Sequence, residues 1–375
     1  MSPRDRHGYE ATLEAVGACV ATRIPFLLWG QPGAGKTAVV ESAAASGYHV
    51  ETLICSHYEP SDFAGLPVVE PGGTVTLAPP QWAMRIATEP RPSIAFFDEW
   101  TTAAPAVQAA ALRPLTHGQV GALQLPDRVS FGAAANPADV AASGWELAAP
   151  TANRFCHLEW EMPLDVFADS LVTGSWPTMR VPEVPPDYPA HLAGARALVT
   201  GFVRARGGQL TAIPQDAQSR GRAFPTPRTW DYAARLLAIA AACGLSEDAV
   251  RLLVHGVIGA PTGHEFLTWR AALDLPDPET LLRTNGEGAF DGMRPDRVHV
   301  CLQGVLAAVW PDRTAERWTA AMAVCVAAAE QAGVDAAVPA VRALLRGDAR
   351  PSGAALPSGM QVFAAPLALA GLLPT

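Results

Sequence analysis

The amino-acid sequence predicts an α/β fold, in which a parallel sheet is wrapped by helices and is followed by an all-helical region. Hydrophobic residues make up 49% of the 375 residues but aromatic residues only 7%, a balance that suits helices and parallel strands better than a β-sandwich. Over the first 165 residues, short apolar runs alternate with helix-like segments, which is typical of a parallel sheet with helical crossovers. After the proline-rich stretch Val181–Ala190, only helical patterns recur.

Four short, mainly apolar runs predict buried strands, and the continuous run Ile24–Trp29 is expected to be buried on both faces. These runs are Ile24–Trp29, Val50–Ile54, Ile94–Phe97 and Val129–Ala134. Helices are predicted between or after them, with stop signals such as Gly47 and Gly244. The predicted helices are Lys36–Ser46, Ala104–Leu115, Thr229–Cys243, a helix that starts at Ser246, His264–Leu273, Arg297–Val309 and Ala315–Ala329.

These elements predict a nucleotide-binding core at residues 1–165, a linker at 166–190, a helical domain at 191–346 and an irregular tail at 347–375. Two hairpins are predicted inside the core, at about residues 62–78 and 118–126. In each of them a turn that contains glycine separates two short apolar runs.

Charge and cysteine content narrow the classes of function. The formal net charge is -9, which argues against broad electrostatic binding to nucleic acid. The six cysteines form no CxxC pair, so we expect reduced, buried thiols. The N-terminal residues are charged and the longest apolar runs are too short to cross a bilayer, so we expect a cytoplasmic protein with no membrane insertion.

The segment Gly30–Thr37 reads GQPGAGKT and matches the phosphate-loop pattern G-x-x-x-x-G-K-[ST] completely. An apolar strand precedes it and a helix follows it, as the pattern requires. Backbone N–H groups of such a loop surround phosphates, the lysine reaches the β- and γ-phosphates, and the threonine hydroxyl ligates Mg²⁺. The predicted nucleotide-binding residues are Gly30, Gln31, Pro32, Gly33, Ala34, Gly35, Lys36, Thr37 and Ala38.

Two acids end the third apolar run, 62 residues after Lys36, in the segment Ile94–Glu99 (IAFFDE). The strand delivers Asp98 at its carboxyl edge, where the carboxylate can hold Mg²⁺ together with Thr37. Glu99 is placed one residue further on, where it can act as general base toward the attacking water. ATP and Mg²⁺ are therefore the predicted ligands.

Three further motifs make the pattern specific. They are Ala133–Pro137 (AAANP) at the end of the fourth apolar run, Ala152–Phe155 (ANRF) and Pro225–Arg228 (PTPR). In this order, and with the two motifs above, the sequence resembles AAA+ ATPases of the MoxR type. The resemblance implies a phosphate-loop core of three layers with a parallel sheet, followed by an all-α lid.

The resemblance also implies roles for three residues. Asn136 corresponds to the sensor-1 residue that helps to orient the water, and Arg154 corresponds to an arginine finger for the nucleotide of a neighbouring subunit. Arg228 corresponds to the sensor-2 arginine, which would reach from the lid to the nucleotide of its own chain. The sequence departs from the family pattern at Asn153, where the family has Asp, and at Trp100, where the family has Asn.

By resemblance, the protein would be an ATPase that forms a ring with itself, typically a hexamer, and remodels a protein client in a chaperone-like manner. The family suggests a client with a von Willebrand factor A domain and a role for both hairpins at the ring pore or at a partner. One alternative is a slow nucleotide-dependent switch or scaffold, although Glu99 and Arg154 together favour hydrolysis. The other is a DNA-directed motor, against which the acidic composition argues.

Overall fold

A computed structural model describes residues 4–137, 145–273, 275–346 and 349–369. The chain forms two compact units. The first unit comprises Met1–Val184 and Thr211–His264, and the second comprises Pro185–Leu210 and Glu265–Thr375. Within the described residues, no helix is both long enough and apolar enough to cross a lipid bilayer.

All strands in the described part of the chain belong to the first unit. They are β1 (Phe26–Trp29), β2 (His49–Ile54), β3 (Leu66–Val69), β4 (Val75–Ala78), β5 (Ser93–Asp98), β6 (Gln119–Val120), β7 (Leu123–Gln124), β8 (Val129–Ala135) and β9 (Cys156–Glu159). Five of them form a parallel sheet in the order β2-β5-β8-β1-β9. The remaining four form two antiparallel pairs, β3 with β4 and β6 with β7, in the segments where the hairpins are predicted.

The first unit also contains helices. They are α1 (Arg4–Thr22), α2 (Lys36–Glu41), α3 (Ser61–Ala64), α4 (Gln81–Thr88), α5 (Pro105–His117), α6 (Ala149–Ala152), α7 (Leu164–Thr173), α9 (Ala217–Arg220), α10 (Pro227–Cys243) and α11 (Glu247–Ile258). Of these, α1, α2, α4 and α11 contact strands of this sheet. A 3₁₀ turn, Ser42–Ser46, continues α2. The helix α12 (Ala260–Ala271) spans the boundary between the two units.

Alternate residues of the inner strands face opposite sides of the sheet, and both sides are apolar. One side carries Leu27, Phe97 and Phe131 in a buried cluster with Trp82 of α4 and Leu115 of α5. The other side faces α1, where the Ser130 hydroxyl donates to the Val20 carbonyl at 2.9 Å. Helices on both faces of a parallel sheet give the three layers that the sequence predicts. The α/β prediction is therefore confirmed.

The β9 edge of the sheet is covered by α11, which approaches closely at Gly256. A Cβ atom at this position would lie 2.6 Å from the His157 carbonyl oxygen and 2.8 Å from the Cys156 sulfur. Only glycine therefore allows the helix to approach so near, and the close contact protects an edge strand that would otherwise be exposed.

The second unit is all-helical in its described part. Its helices are α8 (Tyr188–Ala205), the end of α12, α13 (Pro278–Thr284), α14 (Pro295–Val309), α15 (Ala315–Ala332), α16 (Val334–Leu345) and α17 (Ala364–Leu369). A core cluster of this unit includes Phe290, Leu302, Trp318 and Met322, all of which are buried.

The predicted strands agree with β1, β2, β5 and β8 to within two residues at each end, but the boundaries of the units differ from those predicted. The predicted linker, 166–190, contains most of α7 and the start of α8, because the prolines lie between the two helices. Helices α10 and α11 join the first unit through packing against α1, and α11 also packs against β9. The described part of the predicted irregular tail contains a 3₁₀ turn, Met360–Phe363, and α17.

Candidate nucleotide-binding site

Three neighbouring strands end at the same edge of the sheet, and the predicted site residues follow them. Gly30 leaves β1, Asp98 ends β5, and Asn136 comes directly after β8. Because β5, β8 and β1 are adjacent and parallel, their carboxyl ends lie side by side. Ligands of open α/β sheets bind in this position.

The phosphate loop turns through two glycines with positive φ angles, +77° at Gly33 and +84° at Gly35. A side chain at either position would strain the backbone. The turn brings the chain into α2 at Lys36, so that backbone N–H groups face the space in front of the helix. Gly30 N–H donates to the Ala135 carbonyl at 3.2 Å and fixes the start of the loop beside β8.

Lys36 is buried, and its ammonium group donates three hydrogen bonds. The acceptors are the Gly30 carbonyl at 2.7 Å, the Gln31 carbonyl at 2.9 Å and Asn136 Oδ1 at 2.9 Å. Burial lowers the pKa of Lys36 from its ordinary value, and the negative charge of Asp98 opposes this shift. The lysine and the asparagine, 100 residues apart in sequence, therefore meet at this edge of the sheet.

The Thr37 hydroxyl donates to Asp98 Oδ2 at 2.5 Å, and the Glu99 N–H donates to Asp98 Oδ1 at 2.8 Å. Hydroxyl and carboxylate oxygens are the donor atoms that Mg²⁺ prefers, and they converge here beside the phosphate loop. These residues therefore fit a magnesium ion bound between the protein and a phosphate.

Glu99 adopts a left-handed backbone conformation, with φ at +54°, and its side chain accepts a hydrogen bond from the Ser56 hydroxyl at 2.5 Å. Such a conformation is uncommon for a residue other than glycine and often marks a functional position. Sequence reasoning missed Ser56. The available signal was a hydroxyl residue two positions after the second predicted strand, which is the neighbour of the strand that ends in Asp98.

Two cavities adjoin the loop. The first has a volume of about 340 Å³, and it is lined by Pro32, Gly33, Ala34, Gly35, Lys36, Thr37, Ala38, Asp98, Glu99, Ala134 and Asn136. The second, of about 650 Å³, shares Gly33, Ala34, Gly35 and Ala38 with the first. Its remaining lining is mainly apolar and aromatic, with Tyr9, Trp160, Met162, Phe167 and Trp176. Trp160, which lines the larger cavity, donates from Nε1 to the carbonyl of Ala34 at 2.8 Å, and Ala34 lines both cavities.

The aromatic lining of the larger cavity was also missed by sequence reasoning. Tyr9 comes from α1, whereas Trp160 and Trp176 come from segments after the last strand, so no local motif gathers them.

Arg154 and Arg228 are not among the described residues that line either cavity. Arg154 comes just before β9, whose first residue, Cys156, pairs with Phe26 at the start of β1. The phosphate loop leaves the other end of β1, so three residue steps along the sheet, about 10 Å, separate that end from Cys156. Arg154 therefore lies at the opposite edge of the sheet.

Arg228 lies close enough to Arg154 for the two charges to repel. The pKa of Arg154 is lowered first by burial and then by the charge of Arg228. The expectation that Arg228 reaches the nucleotide of its own chain from a separate lid is therefore not supported by its placement. Arg228 belongs to the first unit, because α10 packs against α1.

Asn153, where the family pattern has Asp, holds the Arg154 loop to the segment before α10. Its side chain is buried, its amide nitrogen donates to the Phe224 carbonyl at 3.1 Å, and its Oδ1 accepts from the Thr226 hydroxyl at 2.9 Å. An ionised Asp has no donor for the Phe224 carbonyl, which gives a physical reason for the amide.

Trp100, the other departure from the family pattern, is fully buried. Its ring stacks on Phe97 with a centroid separation of 5.7 Å and contacts Phe155 edge to face, also at 5.7 Å. The residue that follows Glu99 thus packs against the residue that follows Arg154.

Comparisons with known proteins bear on the same part of the chain. Residues 25–155, about a third of the sequence, match the family model of the AAA domain of the dynein-related subfamily. No curated protein sequence matches the chain significantly. Among solved structures, a candidate ATPase from Cytophaga hutchinsonii aligns with a TM-score of 0.40 and 14% identity, over 70% of this chain and 89% of that one.

The matched stretch contains the phosphate loop, Asp98, Glu99, Asn136 and Arg154. Neither comparison names the MoxR branch. The core of the first unit is therefore similar in sequence to AAA domains of the dynein-related subfamily, and it has the parallel α/β sheet expected of such a domain.

Proposed function

We propose that the protein is an ATPase of the MoxR type, which assembles into a ring, hydrolyses ATP between its subunits and uses the energy to remodel a protein client. The observation that carries this proposal is the convergence of Lys36, Thr37, Asp98, Glu99 and Asn136 around one cavity at the carboxyl edge of the sheet. These are the groups that phosphoryl transfer to water requires.

In the proposed complex, the β- and γ-phosphates of ATP occupy the smaller cavity. Lys36 exchanges its bonds to the Gly30 and Gln31 carbonyls for phosphate oxygens, which compensates for the cost of burying its charge. The nucleoside occupies the larger cavity, where Tyr9, Trp160 and Trp176 offer aromatic surface to a base.

Glu99 is the proposed general base, which accepts a proton from the water that attacks the γ-phosphorus. Ser56 holds the carboxylate before reaction, and Asn136 is placed beside Lys36 to orient the water. Thr37 and Asp98 would hold Mg²⁺, which supplies positive charge to the phosphates when it is bound.

The site is incomplete within one chain, because the two arginines lie at the opposite edge of the sheet. A second copy that packs its arginine edge against the phosphate-loop edge of the first would supply Arg154, and Arg228 beside it, to the γ-phosphate. Repetition of this head-to-tail contact produces a ring if the rotation closes. By resemblance we propose six subunits.

Exposed aliphatic side chains on the first hairpin support a role in protein contact. Leu66, Val68, Val69 and Val75 are all more than 40% exposed, on a two-stranded pair that is too small to bury them itself. The choice of a client with a von Willebrand factor A domain comes from the family resemblance alone.

The test measures ATP binding, ATP turnover and particle mass for the full chain. Glu99→Gln should still bind ATP but should lose about 10²–10⁴ in turnover, whereas Glu287→Gln, a change on the surface of the second unit, should leave turnover intact. Light scattering with ATP present should report an oligomer. Unchanged turnover in Glu99→Gln would remove the proposed base. A stable monomer would remove the shared site, and slow turnover by the unaltered ring would favour a nucleotide-dependent switch.

A further inference from the structure

The side chain of His157 lies between the strand that leads into the phosphate loop and the loop that carries Arg154. Trp29 Nε1 donates to His157 Nδ1 at 2.9 Å, and His157 Nε2 lies 2.9 Å from the Ala152 carbonyl oxygen. Because Nδ1 accepts, the ring proton of a neutral imidazole is on Nε2, and the ring donates to Ala152. His157 therefore uses both of its nitrogens.

The two partners are adjacent to functional positions. Trp29 directly precedes Gly30 of the phosphate loop, and Ala152 is two residues before Arg154. The Trp29 and His157 rings also stack, with centroids 6.1 Å apart and an angle of 13° between their planes. On the same indole, the Arg222 guanidinium lies 3.9 Å from the ring centroid.

The imidazole is suited to this role because it stays neutral. The pKa of His157 is lowered to about 4, mainly by burial; the hydrogen bond to Ala152 raises it and the charge of Arg222 lowers it by smaller amounts. At neutral pH the ring therefore keeps the one donor and one acceptor that these two bonds require.

The two ends of this contact differ in how firmly they are held. Trp29 belongs to β1, which pairs with β8 on one side and with β9 on the other. The Arg154 loop is held by turns, by Asn153 and by the packing of Phe155 on Trp100. Loss of the two His157 hydrogen bonds should therefore displace the Arg154 loop and leave β1 in place.

We propose that His157 is a positioning residue, which holds the Arg154 loop at the angle needed for its arginine to enter the ATP site of a neighbouring subunit. This inference rests on the proposed function, because it presumes that Arg154 acts on a neighbour. It assigns to His157 an effect on the next subunit and none on the ATP site of its own chain.

The variants follow from the hydrogen bonds. His157→Leu substitutes an apolar side chain of similar size and removes both bonds. His157→Gln is the conservative counterpart, since its amide has one oxygen that can accept from Trp29 and one nitrogen that can donate to Ala152. Trp29→Phe removes only the hydrogen bond from Trp29 Nε1 to His157 Nδ1. It serves as a second probe if His157→Leu does not fold.

The experiment uses mixed rings in which the two halves of the site come from different subunits. The holder carries Arg154→Ala and binds ATP, and the donor carries Lys36→Ala and supplies the arginine. With His157→Leu in the donor, ATP turnover of the mixture should fall roughly tenfold or more, as expected for a misplaced catalytic group. The same change in the holder should leave turnover unaltered, and His157→Gln in the donor should restore most of it.

Three results would overturn the proposal. Equal loss with the change in donor or holder would show a general structural role, and no loss with either would show that the contact does not matter. If Trp29→Phe is used in place of His157→Leu, it too must lower turnover when it is in the donor and leave turnover unaltered when it is in the holder. Absence of turnover in the reference mixture, with rings assembled, would overturn the shared site itself and the role of His157 with it.

Discussion

In the first unit, the carboxyl and amino ends of the parallel strands, here called the two edges of the sheet, carry different functional groups. The carboxyl edge holds Lys36, Thr37, Asp98, Glu99 and Asn136 around a cavity of about 340 Å³. The amino edge holds Arg154 and Arg228, and neither forms an ion pair with any described residue.

Two arginines that repel each other, with no ion pair to a carboxylate in the part of the chain that the structure describes, are costly to keep together. An anion brought by another molecule would remove that cost. The contrast between the edges therefore favours a site that is completed by a second copy.

Replacing Arg154 with Ala should have the largest effect. ATP turnover should fall by about 10³–10⁵, the usual contribution of an arginine finger. ATP binding by the variant should stay close to that of the unaltered protein, because Arg154 lies away from the phosphate loop. Turnover and equilibrium binding of a fluorescent ATP analogue provide the two measurements. A variant that loses ATP binding in proportion to turnover would place Arg154 in its own site and remove the contrast.

Arg228→Ala should have the next largest effect. The arginine lies beside Arg154 and should add charge stabilisation worth about 10²–10³ in turnover. Mixing this variant with Lys36→Ala subunits should recover part of the activity, just as mixing Arg154→Ala should. If only the Arg154→Ala mixture recovers, Arg228 serves the nucleotide of its own chain, as the family resemblance first implied.

Acidification should weaken the contact that His157 makes with Trp29 and Ala152. The folded-state pKa of His157 is about 4, below the ordinary value of 6.5, so the unfolded chain binds more protons between these values. The free energy of unfolding should therefore fall as the pH drops from about 6.5 to about 4, by about 2 to 3 kcal/mol from this group.

The pKa of His299 in the second unit is also lowered to about 4, by burial first and then by the charge of Arg204, so it contributes a similar pH dependence. Urea unfolding at several pH values measures the sum over all groups with shifted pKa values, which include His255, whose pKa is lowered first by burial. His157→Gln should flatten the curve by the share of His157. An unchanged pH slope in His157→Gln would contradict the assignment.

Asn153→Asp should have the smallest effect. The change restores the family residue but removes the donor for the Phe224 carbonyl, so the free energy of unfolding should fall by about 1–3 kcal/mol. ATP binding should be unaffected, because the change is confined to the arginine edge. Thermal melting followed by circular dichroism measures the loss of stability. A melting temperature above that of the unaltered protein would show that a carboxylate paired with Arg154 is the better arrangement.

Much of the phosphate-loop edge could be predicted from sequence because its residues follow strands. Asp98 and Asn136 come at the ends of apolar runs, and Lys36 closes the glycine-containing loop that follows another run. Parallel strands bring their carboxyl ends together whatever the loops do. Ser56 and the aromatic residues Tyr9, Trp160 and Trp176 could not be predicted in the same way. They come from separate segments, and only packing brings them to the loop.

The arginine edge shows the converse. The PTPR motif identified Arg228 as a residue of interest, but its surroundings depended on whether α10 joined the core or a separate lid. Close packing of α10 and α11 on α1, including the approach of Gly256 to β9, decided that question, and no local pattern encodes it.

The sequence by itself determined the α/β class and indicated which residues follow the inner strands. It also indicated a phosphate loop. These features could be predicted because strand hydrophobicity and the glycines of the loop act locally. Only the tertiary structure decided that the two arginines lie together at the edge opposite the phosphate loop, and that His157 connects the two edges. Those facts depend on strand register and helix packing between residues far apart in the chain, and such contacts leave no periodic signal in sequence.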